Sequence, residues 1–343
     1  MAFNGYGLAL EAIQLPEPSL GAGCALLQIL TCGVCFSDVK TWTGSMPFSD
    51  ALPLPHVPGH EICARVLATD PPGALESGAL VVVYHLWPCR LCDRCRAGEE
   101  NLCRTPRRWV GFTHHGGFQE RIVVPLDRLV MVPAGIGPVE AAPMTCALGT
   151  AYRAVVTRGA VRAGARVAII GLGGVGIHAL QIAHAVGGQA VGLDLSDRAI
   201  ETAKRLGLDA ARADDPDVET ALSQRFDGGF DVVVDAVGGE QSMHQANRLV
   251  RAGGRIVVVG YSVNSIFTLS PPRFVLEEVE LVGSRYVRMD ELERAIRLVA
   301  DRRVVMVIDS VKPLELANDA FRALEAGEVV GRVVIDVANT SKL

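Results

Sequence analysis

Long hydrophobic runs are missing from this chain of 343 residues: Gly, Arg or Asp interrupts every apolar stretch well short of the roughly 18 residues a membrane span needs. A transmembrane helix, and with it a membrane partner, is therefore excluded. Runs of lysine and arginine are missing as well, and the net charge is −5, so nucleic acid is not an expected partner. Residues 1–10 lack both a basic stretch and an apolar core, so no secretory signal is expected. Nine cysteines without such a signal point to a reducing compartment, the cytoplasm by default. Aromatic residues make up only 5 %, and neither repeats nor low-complexity segments are present.

Apolar residues are plentiful at 49 %, enough for a large core, and the length suits two domains. Up to about residue 132 the pattern is short strands and turns, with strand-like runs at 80–84 and 121–124 and frequent Pro and Gly, as in Pro53-Leu54-Pro55-His56-Val57-Pro58-Gly59. The texture changes near Ala151. Strands are predicted at 166–170, 190–193, 231–235, 255–259 and 281–282, with helices running to Ala185 and over 198–206. Strands alternating with helices imply a doubly wound parallel sheet. The tail reads as a helix, a second helix over 314–326 and a last strand at 332–337. The expected division is 1–151, 152–289 and 290–343, the last returning to the first domain.

Cys89, Cys92, Cys95 and Cys103 form a C-x2-C-x2-C-x7-C cluster within a lobe at 88–104. Four thiolates this close in sequence suit a tetrahedral structural zinc. A disulfide framework is the alternative, but an odd cysteine count in a long chain with no signal segment argues against it.

Gly171-Leu172-Gly173-Gly174-Val175-Gly176 is a G-x-G-x-x-G run between an apolar strand and a helix, and Asp194 closes the next strand about 20 residues on. The glycines let the backbone approach a pyrophosphate at the helix N-terminus, and the acid suits the ribose hydroxyls of NAD while repelling the 2′-phosphate of NADP. Three more segments carry ligand chemistry. These are Cys32-Gly33-Val34-Cys35-Phe36-Ser37-Asp38, Gly59-His60-Glu61 and Pro143-Met144-Thr145-Cys146.

Taken together with Gly116–Glu120 and the segment running to Thr150, these motifs make the chain resemble the zinc-dependent medium-chain alcohol dehydrogenases over essentially its whole length. The resemblance implies a mostly β, GroES-like catalytic domain beside a Rossmann-type domain. It implies two Zn2+ per chain, with NAD as cofactor in preference to NADP, a small-molecule alcohol or carbonyl substrate in a cleft between the domains, and a homodimer or homotetramer. Cys35, His60 and Cys146 then correspond to the catalytic zinc ligands, with Glu61 nearby and Asp38 orienting His60. Ser37 corresponds to the first hydroxyl of a proton relay. Thr150 corresponds to a threonine beside the nicotinamide, Val259 and Ser284 to contacts of the carboxamide, and Arg332 to an arginine near the pyrophosphate. Cys24, Cys32 and Cys63 fall to packing. Cys146 in the third ligand position is similar to the alcohol-type branch, unlike the glutamate of polyol-type members or the zinc-free reductases.

Two features are less typical. Lys40 stands where many members have a histidine that passes the proton to solvent. Trp42, His85, Trp87, Trp109 and His114 come from segments bordering the family's substrate site, and they suggest an apolar or aromatic alcohol as readily as ordinary packing. His178, His184 and His244 read as structural or surface residues. The resemblance thus implies reversible hydride transfer between an alcohol and NAD. Reduction of an imine or conjugated carbonyl on the same ligands is the alternative, and a non-catalytic binding protein on this fold the remote one.

Overall fold

The computed structural model describes residues 1–47, 49, 52–105 and 108–339. The chain forms two compact units, one of Met1–Cys146, Arg288–Ala300 and Ile308–Leu343, the other of Ala147–Val287 and Asp301–Val307. The first unit thus ends at Cys146, short of the expected 151. The tail does not return whole either, because 301–307 belongs to the second unit.

The first unit opens with β1 (Cys24–Val34), α1 (Phe36–Trp42), β2 (Glu61–Thr69) and β3 (Leu80–Val83). A small hairpin of β4 (Leu86–Trp87) and β5 (Arg108–Trp109) brackets the cysteine lobe and its helix α2 (Asp93–Arg96). Then follow β6 (Arg121–Pro125), β7 (Leu129–Met131) and α3 (Pro138–Ala141). In β1 alternate residues are buried up to Gln28, and from Ile29 every residue is. The strand thus begins with one wet face and ends covered on both, which is where its functional residues lie.

The second unit comprises α4 (Ala147–Tyr152), β8 (Arg166–Ile170), α5 (Gly176–Ala185), β9 (Gln189–Asp194), α6 (Asp197–Arg205), β10 (Asp209–Arg212), α7 (Val218–Arg225), β11 (Phe230–Asp235), α8 (Glu240–Leu249), β12 (Val250–Val258), α9 (Pro271–Leu276) and β13 (Glu280–Gly283). The chain then re-enters the first unit with α10 (Met289–Ala300), β14 (Ile308–Pro313), α11 (Ala317–Glu325) and β15 (Arg332–Asp336).

Among the described residues the first unit's main sheet runs β14-β15-β1-β2-β3-β7, with β6 also on β1, and every pairing but β14–β15 is antiparallel. Its core includes Phe3, Leu27, Ile29, Ile62, Phe118 and Phe321. The second unit's sheet runs β10-β9-β8-β11-β12-β13, parallel throughout. That order places the carboxyl ends of β8 and β11 side by side at the point where the winding reverses, the usual ligand crevice of such a sheet. No helix among the described residues is long and apolar enough to cross a membrane.

Candidate active site

Cys35 caps α1. Its sulfur accepts the Ser37 N–H at 3.5 Å, and its own N–H donates to Asp38 Oδ2 at 2.8 Å, a reciprocal cap that fixes both side chains. Asp38 Oδ1 accepts from His60 Nδ1 at 2.9 Å and from the Gly59 N–H at 3.3 Å. A carboxylate can only accept, so the proton is on Nδ1 and the Nε2 lone pair is left for a metal. Gly59 sits at φ +99°, a conformation that turns the chain into β2 with His60 and Glu61 leading. Burial opposes a charge on His60, yet Asp38 and Cys35 hold its pKa well above the ordinary value. Cys35 is held well below the usual thiol range by the Cys146 thiol, Arg332 and His60.

One ligand atom each from Cys35, His60, Glu61 and Cys146 lies within 4.8 Å of the others, all from the first unit. Two cysteine sulfurs, an imidazole and a carboxylate in one cluster match the donors that hold zinc; Cys146 is the partly exposed member. Glu61 is engaged elsewhere, however. The Arg332 Nε–H donates to its two oxygens at 3.0 and 3.2 Å, and Nη2 lies 3.5 Å from the Cys35 sulfur. Glu61 is fully buried and Arg332 is 4 % exposed. Burial raises the Glu61 pKa to about 7 even against the arginine's pull. Arg332, which the resemblance assigns to a pyrophosphate, is thus committed to an ion pair in the first unit. Gly33, opposite Glu61 in the β1–β2 ladder, makes room for the pair, since a Cβ there would lie 2.2 Å from Glu61 Oε2. Neither partnership is visible in sequence. A glycine inside a strand was the only available signal.

The second cluster, Cys89, Cys92, Cys95 and Cys103, is likewise within 4.8 Å and holds no disulfide. Its sulfurs are 3.9 Å (Cys89–Cys95) and 3.5 Å (Cys92–Cys95) apart. A tetrahedron of Zn–S bonds has edges of about 3.8 Å, so a zinc ion fits. The Leu91 and Cys92 N–H groups, both 3.4 Å from the Cys89 sulfur, lower that thiol's pKa to about 6.

In the second unit Gly171 has φ +86°, and a Cβ on Gly176 would fall 1.6 Å from the Gly171 oxygen, so the loop closes only on glycine. Gly173 faces open space, and α5 begins after Gly174 and Val175 with no side chain capping its first N–H groups. This cradle fits a dinucleotide phosphate. Asp194 ends β9, accepting the Leu172 N–H at 2.5 Å and the Ser196 N–H at 2.8 Å. Val259 and Ser284 follow β12 and β13 at the same edge of the sheet, their N–H groups bonded to Asp235 and Val258. Ser284 Oγ is buried with no hydrogen-bond partner among the described residues. Thr150 is buried on α4.

A model of the alcohol dehydrogenase GroES-like domain matches residues 21–134, and one of zinc-binding dehydrogenases matches residues 174–301. An alcohol dehydrogenase of Geobacillus stearothermophilus is 34 % identical over 334 residues, 96 % of either chain. The chain belongs to the zinc-dependent medium-chain dehydrogenase family. The solved alcohol dehydrogenase of Aeropyrum pernix superposes with TM-score 0.88 at 28 % identity, covering 98 % of both chains. The acetophenone reductase of Geotrichum candidum, solved in complex with NAD, gives TM-score 0.82 at 27 % identity, over 95 % of this chain and 93 % of that one. In reaction class this dehydrogenase is an alcohol oxidoreductase.

The residues suggested for its substrate site divide. His85 is buried with its ring edge-on to His60, centroids 4.9 Å apart, and Phe112, which sequence reasoning did not single out, lies 4.6 Å from His60. Trp109 packs on Phe112 at 4.6 Å, and Trp87 lies beneath the Arg108 guanidinium. His114 Nδ1 is 3.1 Å from Thr113 Oγ1. Trp42 turns the other way, edge-on to Phe321 in the core with its N–H on the Leu8 carbonyl, so packing accounts for it. Lys40 is half-buried, its Nζ 5.7 Å from the Phe36 ring centroid, and burial lowers its pKa. Cys32 and Cys63 are buried as expected, whereas Cys24 is partly exposed.

Proposed function

We propose that this dehydrogenase reversibly transfers hydride between NAD and a primary or secondary alcohol with an apolar or aromatic body, giving an aldehyde or ketone. The observation that carries the reading is the Cys35–His60–Cys146 cluster, in which Cys35 and His60 are buried, Cys146 is partly exposed, and the bond of His60 Nδ1 to Asp38 leaves Nε2 for a metal. Cys35, His60 and Cys146 would hold a zinc ion that would supply a Lewis acid for the alcohol oxygen, and Gly171–Gly176 would hold a dinucleotide that would supply the hydride acceptor.

The remaining work falls to the chain's own groups. Asp38 keeps the His60 proton on Nδ1 and orients the ring. Arg332 pairs with Glu61 and faces the Cys35 sulfur, so one guanidinium sets positive charge beside both. Ser37, on the first turn of α1 beside Cys35, accepts the alcohol's proton while passing its own hydroxyl proton on toward solvent; Lys40 stands three residues further along the helix. His85 and Phe112 flank His60 with aromatic faces, which supports an apolar or aromatic body for the substrate. The Asp194 carboxylate supports NAD, because it would repel a 2′-phosphate. The cysteine lobe holds a second, structural zinc.

The test is turnover with NAD across primary, secondary, aromatic and polyol alcohols, beside the matching carbonyls with NADH, on protein of measured zinc content. A preference for one aromatic or apolar alcohol class supports the reading. Silence on every alcohol, with reduction of an imine or conjugated carbonyl, would replace it. Asp194→Ala should narrow the gap between NAD and NADP; an unchanged ratio removes Asp194 from cofactor choice.

A further inference from the structure

Three residues of α5 form a stripe that the active-site chemistry does not use. His178 is fully buried and Gln181 is 6 % exposed, on a helix whose buried residues are otherwise mostly apolar, among them Ile177, Leu180 and Ile182. Buried polar groups stay buried only when bonded. Here their partners are the backbone of 303–307, a stretch largely without regular secondary structure that lies between α10 and β14. The Arg303 guanidinium donates to the Ala185 carbonyl. Gln181 meets Val305 twice, Nε2 donating to its oxygen at 3.0 Å and Oε1 accepting its N–H at 2.9 Å. The Val307 N–H donates to His178 Nε2 at 3.1 Å.

The rungs fall at 303, 305 and 307 on one partner and at 185, 181 and 178 on the other. The backbone of Val305 and Val307 thus meets α5 about one helical turn apart, at Gln181 and His178, and the Arg303 side chain reaches the helix end at Ala185. The stripe ends at the glycine loop. Because Nε2 accepts from Val307, the His178 proton is on Nδ1, and Nδ1–H donates to the Gly174 oxygen at 2.7 Å. That oxygen shares a planar peptide with the Val175 N–H, one of the uncapped donors at the mouth of α5. Bonding to the oxygen fixes the plane and strengthens the N–H as a donor.

We propose that His178 is a positioning residue that holds the Gly174–Val175 peptide for a dinucleotide phosphate and links the loop's occupancy to the order of 303–307. This rests on the reading of Gly171–Gly176 as the cofactor loop. The imidazole can be divided chemically. In His178→Asn the amide nitrogen takes the place of Nδ1, keeping the bond to Gly174 and losing Val307. In His178→Gln the amide oxygen takes the place of Nε2, keeping Val307 and losing Gly174.

The experiment measures NAD affinity by calorimetry and amide exchange of the peptide spanning Val305 and Val307, with and without NAD, in the zinc-loaded protein. Apo melting temperatures check that both variants fold. In the wild type NAD should slow exchange at 305–307. His178→Gln should raise the NAD Kd about fivefold, the worth of one neutral hydrogen bond, and abolish that slowing. His178→Asn should keep the Kd within about twofold while 305–307 exchanges fast in both states. Gln181→Met, which breaks only the middle rung, should speed exchange at 305–307 and raise the NAD Kd by no more than the factor by which NAD slows that exchange in the wild type, because the coupling is reciprocal. If the wild type binds NAD and both His178 variants match it in affinity and in NAD-dependent exchange, the positioning role is overturned and the cofactor reading stands. A wild type that binds neither NAD nor NADP removes the cofactor reading and this role with it.

Discussion

Asp38→Asn removes one charge and no volume, and the geometry predicts its effect closely. The carboxylate accepts three N–H groups, His60 Nδ1 and Gly59 on one oxygen and Cys35 on the other, and it is fully buried. An amide has one acceptor oxygen. Placed toward His60, that oxygen leaves the amide NH2 against the Cys35 N–H, donor to donor, and the cap of α1 opens. Placed toward Cys35, it sets the NH2 against Nδ1, so the ring must carry its proton on Nε2, where a metal cannot bind. Either way an orienting partner of a ligand is lost, an effect of about 10- to 100-fold in metal affinity, or about 1.4–2.7 kcal/mol. A buried N–H left unpaired costs about 1–3 kcal/mol of stability in addition.

The assay is metal transfer to a chromophoric chelator at graded concentrations. Two classes of zinc are expected in the wild type, and the cysteine lobe serves as an internal control. In Asp38→Asn one class should leave at about 10- to 100-fold lower chelator concentration while the other is unmoved, and turnover should follow the lost class. Retention of both classes at wild-type affinity would refute the orienting role. Equal loss of both would mean that the unit had loosened as a whole, and the argument from Asp38 geometry would fail.

Arg332→Met leaves Glu61 buried without a counter-charge and should lower stability by about 3–5 kcal/mol in urea titration, with Glu61→Gln in the same chain recovering much of it; no recovery would mean that the arginine acts by packing. Cys92→Ser should remove the lobe's metal and lower the melting temperature while leaving the KM for alcohol unchanged, so a stable variant with full zinc content would contradict a structural role. Gly176→Ala should raise the dinucleotide Kd about tenfold, since its Cβ would lie 1.6 Å from the Gly171 oxygen and relieving such overpacking typically takes 1–3 kcal/mol. His56 is buried, and burial lowers its pKa to about 4 against an ordinary 6.5. The unfolded chain therefore takes up a proton that the folded chain refuses. This contribution, up to about 3 kcal/mol, is complete above pH 6.5 and lost as pH falls toward 4. Urea midpoints at pH 7.5 and 5 should differ more in the wild type than in His56→Phe.

The cysteine lobe and the glycine loop were legible because both are local. Cys89 to Cys103 span one short loop, and so few residues can hardly keep four sulfurs apart. Arg166 to Asp194 is a strand, a turn, a helix and a strand, whose geometry the chain's own periodicity dictates. Five strands of the second unit were read, since buried parallel strands are continuous apolar runs, but β10 (Asp209–Arg212), whose Asp-Ala-Ala-Arg carries no such run, was missed, and β12 begins at Val250, ahead of the expected 255. Domain boundaries were read less well. The boundary at Cys146 falls within helical structure spanning 142–152, where composition does not change, and 301–307 changes unit with no Gly or Pro to announce it.

Cys35, His60 and Cys146 were found by resemblance, not by spacing, because β2 to β7 and the loops between them separate the last from the others. By itself the sequence determined which donor types are present, most of the strands of the second unit, and that two groups able to hold a metal and a glycine-rich loop coexist in one chain. The tertiary structure alone decided the partners: Arg332 on Glu61 across 271 residues, the room that Gly33 leaves for them, Trp42 turned to the core, and His178 between Gly174 and Val307. The physical reason is range. Periodicity and turn chemistry act over a few residues, whereas a buried charge or imidazole takes whichever partner the fold brings within about 3 Å, and that partner's position in sequence is unconstrained.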